Sequence, residues 1–127
     1  MTKLLVLLLS FTSFQLFAQG DDEDCQFSES LCGLQASFAA ADKELNDVYK
    51  SINNRIKSGE LSESTLVDAA ELKQSLLNSQ RSWLKFKESN CDAFYVLQSG
   101  GSQRNEARME CEIEMTKART NYLKSWY

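Results

Sequence analysis

Four cysteines stand behind what reads as an export leader, and that combination restricts the fold more than any other feature of the chain. Met1, Thr2 and Lys3 open with one positive charge, Leu4 to Leu9 is unbroken apolar sequence, and Phe11, Phe14, Leu16 and Phe17 carry it to Ala18. A basic start, an apolar stretch and a small residue describe a secretory signal, with cleavage expected after Ala18. The apolar part is shorter than the roughly 20 residues a spanning helix needs. Glu23 and Asp24 before Cys25 do not match a lipoprotein cysteine, which follows small apolar residues. Cys25, Cys32, Cys91 and Cys111 would all reach an oxidising compartment, periplasmic or extracellular, where cysteines pair.

The chain then divides into a leader (1–18), an acidic N-terminal arm (19–30), expected to be loose, and one helical domain (31–127). Cleavage removes one of the 14 basic residues and none of the 18 acidic ones, so 13 against 18 leaves a mature net charge of −5. Nucleic acid needs a basic patch and is an unsuitable partner. Opposite charge favours a basic protein. There is no histidine, so Ser-His-Asp and Cys-His arrangements and histidine-based zinc sites are excluded. No CxxC motif is present for redox work, and the paired spacings of a four-thiolate zinc site are missing. No catalytic group, metal or cofactor is expected. Glu110, Glu112 and Glu114 alternate along the chain, point to different sides of a helix and read as a solvated face, where Glu-to-Ala changes should leave fold and binding unaffected.

Three apolar periodicities predict three helices. Leu34, Phe38, Ala41, Leu45, Val48, Ile52 and Ile56 recur at spacings of three and four, and Gly59 suits a left-handed helix end. A second helix is expected from Ser62 or Ser64 to about Gln98, with Leu61 and Leu66 as a hydrophobic staple. It carries two stripes: Ala69, Leu72, Leu76, Trp83, Phe86 and Leu97, and beside it Ala70, Leu77, Leu84 and Cys91. A double stripe predicts a long central helix touching two neighbours, spanning roughly 50 Å and projecting beyond them or bending. After the turn Ser99-Gly100-Gly101-Ser102, with Ser102 as cap, a third helix shows Ala107, Cys111, Met115, Ala118, Tyr122 and Trp126 on its expected inner face. With no proline to interrupt them, the helices should form an all-α, antiparallel, up-down-up bundle stapled by disulfides.

Cys91 and Cys111 lie almost equally far from the Gly100-Gly101 turn and come level in a helical hairpin. That favours Cys91–Cys111 with Cys25–Cys32. An antiparallel first helix brings Cys32 to the same end, so Cys32–Cys91 with Cys25–Cys111 is the competing pairing.

Cys32, then Ala41-Asp42-Lys43-Glu44-Leu45-Asn46 and Tyr49, followed by Gln80-Arg81-Ser82-Trp83, Phe86 and Cys91, and finally Gly100-Gly101-Ser102, Cys111, Thr116, Arg119-Thr120 and Leu123, form an ordered set. Together they resemble the LprI-like lysozyme inhibitor domain. The family often has arginine and aspartate where this chain has Lys87 and Glu88. The resemblance implies an exported helical protein that inhibits lysozyme, and not an enzyme. Asp42, Glu44, Asn46, Gln80, Arg81 and Arg119 are expected to form a polar network across the three helices, with Arg119 or Arg81 meeting Asp42 or Glu44. An inhibitor must cover a cleft lined by acidic catalytic groups. Basic or amide side chains near Ser99, Gly100, Gly101, Gln103, Arg104 and Asn105 are candidates, with Arg55 and Lys57 at the opposite end less favoured. The expected partner is a lysozyme or another peptidoglycan hydrolase, either a host enzyme or a delivered toxin. The alternative is a non-inhibitory adaptor of the cell envelope that docks partners through a projecting second helix and the Trp126-Tyr127 end.

Overall fold

The computed structural model describes Cys25, residues 28–61 and residues 66–126. The leader, most of the arm, Ser62, Ser64 and Tyr127 lie outside the described residues. Three helices account for nearly everything else: α1 (Glu29–Lys57), α2 (Ala69–Leu97) and α3 (Arg104–Lys124).

The helix ends follow local chemistry. α1 starts five residues before its apolar stripe because the Ser28 hydroxyl accepts a hydrogen bond from the Leu31 N–H. It ends where Gly59 adopts φ 85°, a left-handed conformation in which the Gly59 N–H donates to the Ile56 carbonyl and the Leu61 N–H to the Arg55 carbonyl. α2 begins later than expected. Asp68 is its cap, and its Oδ1 accepts from the Ala70 and Glu71 N–H groups at 2.7 and 2.9 Å. Leu66 therefore stands ahead of the cap and is fully exposed, so the staple with Leu61 does not form; Leu61 packs on the core instead. At 29 residues each, α1 and α2 are equal in length, about 43 Å, and α2 does not outlast its neighbour. α3 opens at Gln103, not Ser102, and Gln103 makes no side-chain capping bond.

Cross-helix pairs define the topology. Gln80 meets Arg119, Lys87 meets Thr116 and Cys91 meets Cys111, so α2 and α3 run antiparallel. Glu44 meets Lys124 on α3, which runs parallel to α1. The result is an up-down-up, all-α bundle. Its core lies toward one end, where Leu45, Val48, Ile52 and Ile56 of α1 enclose Leu76 of α2 and Leu123 of α3. Each such side chain taken from water contributes about 1.5–3 kcal/mol. Trp126 packs against this cluster, which removes it from the exposed docking end that an adaptor would use.

The central helix is α3, not α2. α3 packs most extensively on α1 and next on α2, while α1 and α2 touch each other least. The second stripe of α2 accordingly has no partner along most of its length: Ala70 and Leu84 are exposed and only Cys91 is buried. The inner face of α3 also differs from expectation. Ile113, Thr116, Thr120 and Leu123 are buried, whereas Ala118 and Tyr122 are exposed. The reason is hydrogen bonding. The Thr116 and Thr120 hydroxyls donate to the carbonyls of Glu112 and Thr116, at 2.7 and 2.9 Å, so each buries as a small, satisfied, β-branched side chain. Small side chains at these positions let α3 approach two helices at once.

Candidate functional site

The end opposite the core is held covalently. Cys91–Cys111 ties the last turns of α2 to the first turns of α3, with Cα atoms 5.7 Å apart, and Cys25–Cys32 anchors the arm to α1, with Cα atoms 5.8 Å apart. The competing pairing is not formed. Beside the first bridge, Arg108 of α3 forms an ion pair with Asp92 of α2 at 2.8 Å, and its Nε lies 3.5 Å from the Glu112 carboxylate as a charge contact without a hydrogen bond. These links hold the tip of the α2–α3 hairpin without a dry core beneath it.

The tip presents an unusual surface. Val96 and Leu97, in the last turn of α2, are 66% and 75% exposed, and Phe94 is 37% exposed. The chain then turns through Gln98, Ser99, Gly100, Gly101, Ser102 and Gln103, with the Gly101 N–H donating to the Gln98 carbonyl at 3.0 Å. Neither Gly100 nor Gly101 uses a positive φ, and a Cβ at Gly100 would meet open space. Arg104 lies with its guanidinium carbon 5.0 Å from the centre of the Tyr95 ring, and Asn105 is exposed beside it. The candidate residues Ser99, Gly100, Gly101, Gln103, Arg104 and Asn105 are thus gathered on one exposed cap. Arg55 and Lys57 lie at the other end; Arg55 there bonds to Glu60 at 2.7 Å.

Below the tip, polar groups link the helices, but not in the expected pairs. Arg119 donates from Nε to Gln80 Oε1 at 3.2 Å and from Nη2 to Ser79 Oγ at 2.9 Å. Its guanidinium also lies between the rings of Trp83 and Tyr122, at 5.9 and 5.8 Å. Burial lowers the Arg119 pKa from its ordinary value, and Tyr122 partly opposes that shift. Neither Asp42 nor Glu44 reaches an arginine. Asp42 accepts from Asn46 one turn on, at 2.9 Å, and Glu44 pairs with Lys124 at 2.5 Å. Arg81 points away and is exposed. Arg119 prefers neutral partners because it sits on the α2 side of α3, whereas the two acids lie on α1.

The residue that joins all three helices is Lys87, whose sequence position shows only a departure from the family pattern. It is 9% exposed, donates to Thr116 Oγ1 at 3.4 Å, and places its ammonium 5.2 Å from the Trp83 ring centre and 5.5 Å from that of Phe38. A cation between two aromatic faces is held by their quadrupoles. Its signal in the sequence is its register: Lys87 lies four residues after Trp83 and four before Cys91, both inward-facing.

With the bundle and its two bridges established, known families offer a match. A family model described as lysozyme inhibitor LprI matches residues 21–123. The chain belongs to the LprI family. An uncharacterized protein of Rhizobium meliloti (strain 1021) is 29% identical to this LprI protein over 114 residues, covering 84% of the chain and 81% of the relative. No solved structure matches. LprI proteins are described as inhibitors, not as enzymes. Among the described residues of this member there is no group of acidic or cysteine side chains placed to hold a metal, and no helix long and apolar enough to cross a membrane.

Proposed function

We propose that this protein is an exported lysozyme inhibitor that meets its target with the disulfide-braced tip of the α2–α3 hairpin. The family supports the activity, and the paired cysteines suit an oxidising compartment, periplasmic or extracellular. The observation that carries the choice of surface is the exposure of Val96 and Leu97 at the end of a helix pinned by Cys91–Cys111. Exposed apolar side chains on a pre-ordered helix end bind without the ordering cost that a flexible loop incurs. Arg104, Gln103 and Asn105 beside them supply a cation and amides for a cleft whose floor is acidic. The inhibitor covers the cleft and performs no chemistry.

Purified mature protein, with its disulfides intact, should reduce the activity of at least one lysozyme type, or of a peptidoglycan hydrolase encoded beside it, at micromolar concentration. Leu97→Asp should abolish that inhibition while leaving the unfolding midpoint unchanged, because Leu97 contributes little to the core. Full activity across several lysozyme types and the neighbouring hydrolase would refute inhibition. Inhibition undiminished by Leu97→Asp and Val96→Asp would move the contact away from the tip.

A further inference from the structure

The groove between α2 and α3 has a composition that the tip does not explain. Two adjoining depressions, of about 350 and 310 Å³, share Phe94 and Glu110 and form one trough down the side of the hairpin. Its floor combines Phe94, Met115 and the Cys111 side of the disulfide with the Asn90 amide, which donates to Met115 Sδ at 3.4 Å. Methionine and an exposed aromatic adapt to many partner shapes. Phe86, 60% exposed, lies one turn of α2 before Asn90 on the same face, outside the trough.

The rim is acidic. Glu106, Glu110 and Glu114 follow one another at four-residue spacing along α3, about 6 Å apart in rise, and all three line the trough. The alternating trio Glu110, Glu112 and Glu114 reads as a solvated face, but the fold separates it. Glu112 turns to Arg108, while Glu110 and Glu114 align with Glu106. Like charges at this spacing destabilise a helix by a few tenths of a kcal/mol per pair. Among the other described acids, Glu44, Asp47, Glu60, Asp92 and Glu112 have a lysine or arginine partner; Glu29, Asp42, Asp68, Glu71 and Glu88 have none, but no three of them follow one another at four-residue spacing. Among the described residues, Glu106, Glu110 and Glu114 join no such ion pair, and no lysine or arginine lines the trough.

We propose that this trough docks a basic amphipathic segment of the target protein, with an apolar side chain on Phe94 and Met115 and lysines or arginines one turn apart against Glu106, Glu110 and Glu114. Charge complementarity selects this occupant. A second copy of the chain would bring another acidic rim and a net charge of the same sign. The proposal rests on the inhibitor reading only in naming the segment's owner as a lysozyme. It gives the two parts of the hairpin different tasks: the tip enters an acidic cleft, and the trough grips basic surface beside it.

The test uses the mature, disulfide-bonded protein and a 14-residue amphipathic peptide of leucine and lysine, followed by amide NMR. The peptide should shift Phe94, Glu110, Glu114 and Met115, and its affinity should fall as salt rises from 50 to 300 mM. The triple change Glu106→Gln, Glu110→Gln and Glu114→Gln should raise the peptide Kd at least tenfold without lowering the melting temperature. Glu29→Gln with Glu71→Gln, on other helices, should have no effect. Equal binding of a leucine–glutamate peptide, shifts confined to other surfaces, or self-association through this face would overturn the proposal. Lysozyme inhibition measured in parallel separates the two readings. If the triple variant inhibits as well as the parent, the trough assignment falls and the inhibitor reading stands. If the parent inhibits nothing but the lysine peptide binds as described, the inhibitor reading falls and the trough keeps its basic occupant.

Discussion

The two ends of the bundle are stabilised by different physics. At one end Ile52, Ile56, Leu76 and Leu123 are shut away from water and hold three helices together by burial. At the other, Phe94, Val96 and Leu97 face solvent, and two disulfides with the Arg108–Asp92 pair take the place of a core. A segment held by burial must hide its apolar side chains to remain folded. A segment held by covalent links is free to display them. That freedom is what a binding surface needs, and it is the reason the stapled end, with the fewest buried residues, is the proposed contact with a partner.

The sharpest way to break this contrast is to delete core at one end and apolar surface at the other. Leu123→Ala should lower stability by about 3 kcal/mol in urea unfolding, and Leu97→Ala by less than about 0.5 kcal/mol. Similar losses for both would mean that the two ends are alike. Opening the hairpin staple comes next. Cys91→Ser with Cys111→Ser should cost about 3 kcal/mol and reduce inhibition further than the unfolded fraction explains, whereas Cys25→Ser with Cys32→Ser should cost about 2 kcal/mol and leave inhibition intact. If both double variants inhibit equally well, the tip does not depend on its brace.

Lys87 lies between the two regimes, and its substitutions locate the boundary. Lys87→Ala empties a site shared by Phe38, Trp83 and Thr116 and should cost about 2 kcal/mol or more. Lys87→Met keeps the stem between the rings and removes a buried charge, so it should stay within about 1 kcal/mol of the parent. A large loss in the methionine variant would show that the ammonium, not the packed stem, holds the junction. The smallest expected effects come from two glycines. Gly59→Ala forces a left-handed φ on a side chain at the core end and should destabilise by about 1 kcal/mol. Gly100→Ala, at the tip, meets neither strain nor clash and should stabilise by about 0.4–1 kcal/mol through the unfolded chain. Thermal melts of the pair measure both.

Much of this architecture can be read before any coordinates. Of the α1 stripe, Ala41, Leu45, Val48, Ile52 and Ile56 are buried, because aliphatic side chains at helical spacing have one way to leave water, whereas Leu34 and Phe38, toward the stapled end, are only half-buried. The level placement of Cys91 and Cys111 about a glycine turn favours their bridge over the alternative. The inner face of α3 was not legible. Cys111, Met115, Ala118 and Tyr122 are the more hydrophobic choice, yet Thr116 and Thr120 go inside because their hydroxyls bond their own helix. Hydropathy scores a threonine as if its hydroxyl were still looking for a partner. The double stripe of α2 points to a central helix, yet its second stripe stays largely exposed, and Lys87 reads as a surface cation until Phe38 and Trp83 flank it. At the candidate site, the turn residues announce an exposed loop, but the four-residue carboxylate ladder gains meaning only beside Phe94 and Met115 from two different helices.

What the sequence determined alone is the inventory: three helices, their order, the residues available for bridging, and a chemistry without histidine. Those properties are local or compositional, and the chain carries them in any conformation. Which helix stands between the others, which stripe stays wet and which charges end up without a counter-ion were decided by tertiary packing. They depend on how closely two backbones approach and on which side chain fills the space between them, and both are set only when residues distant in the chain compete for the same volume.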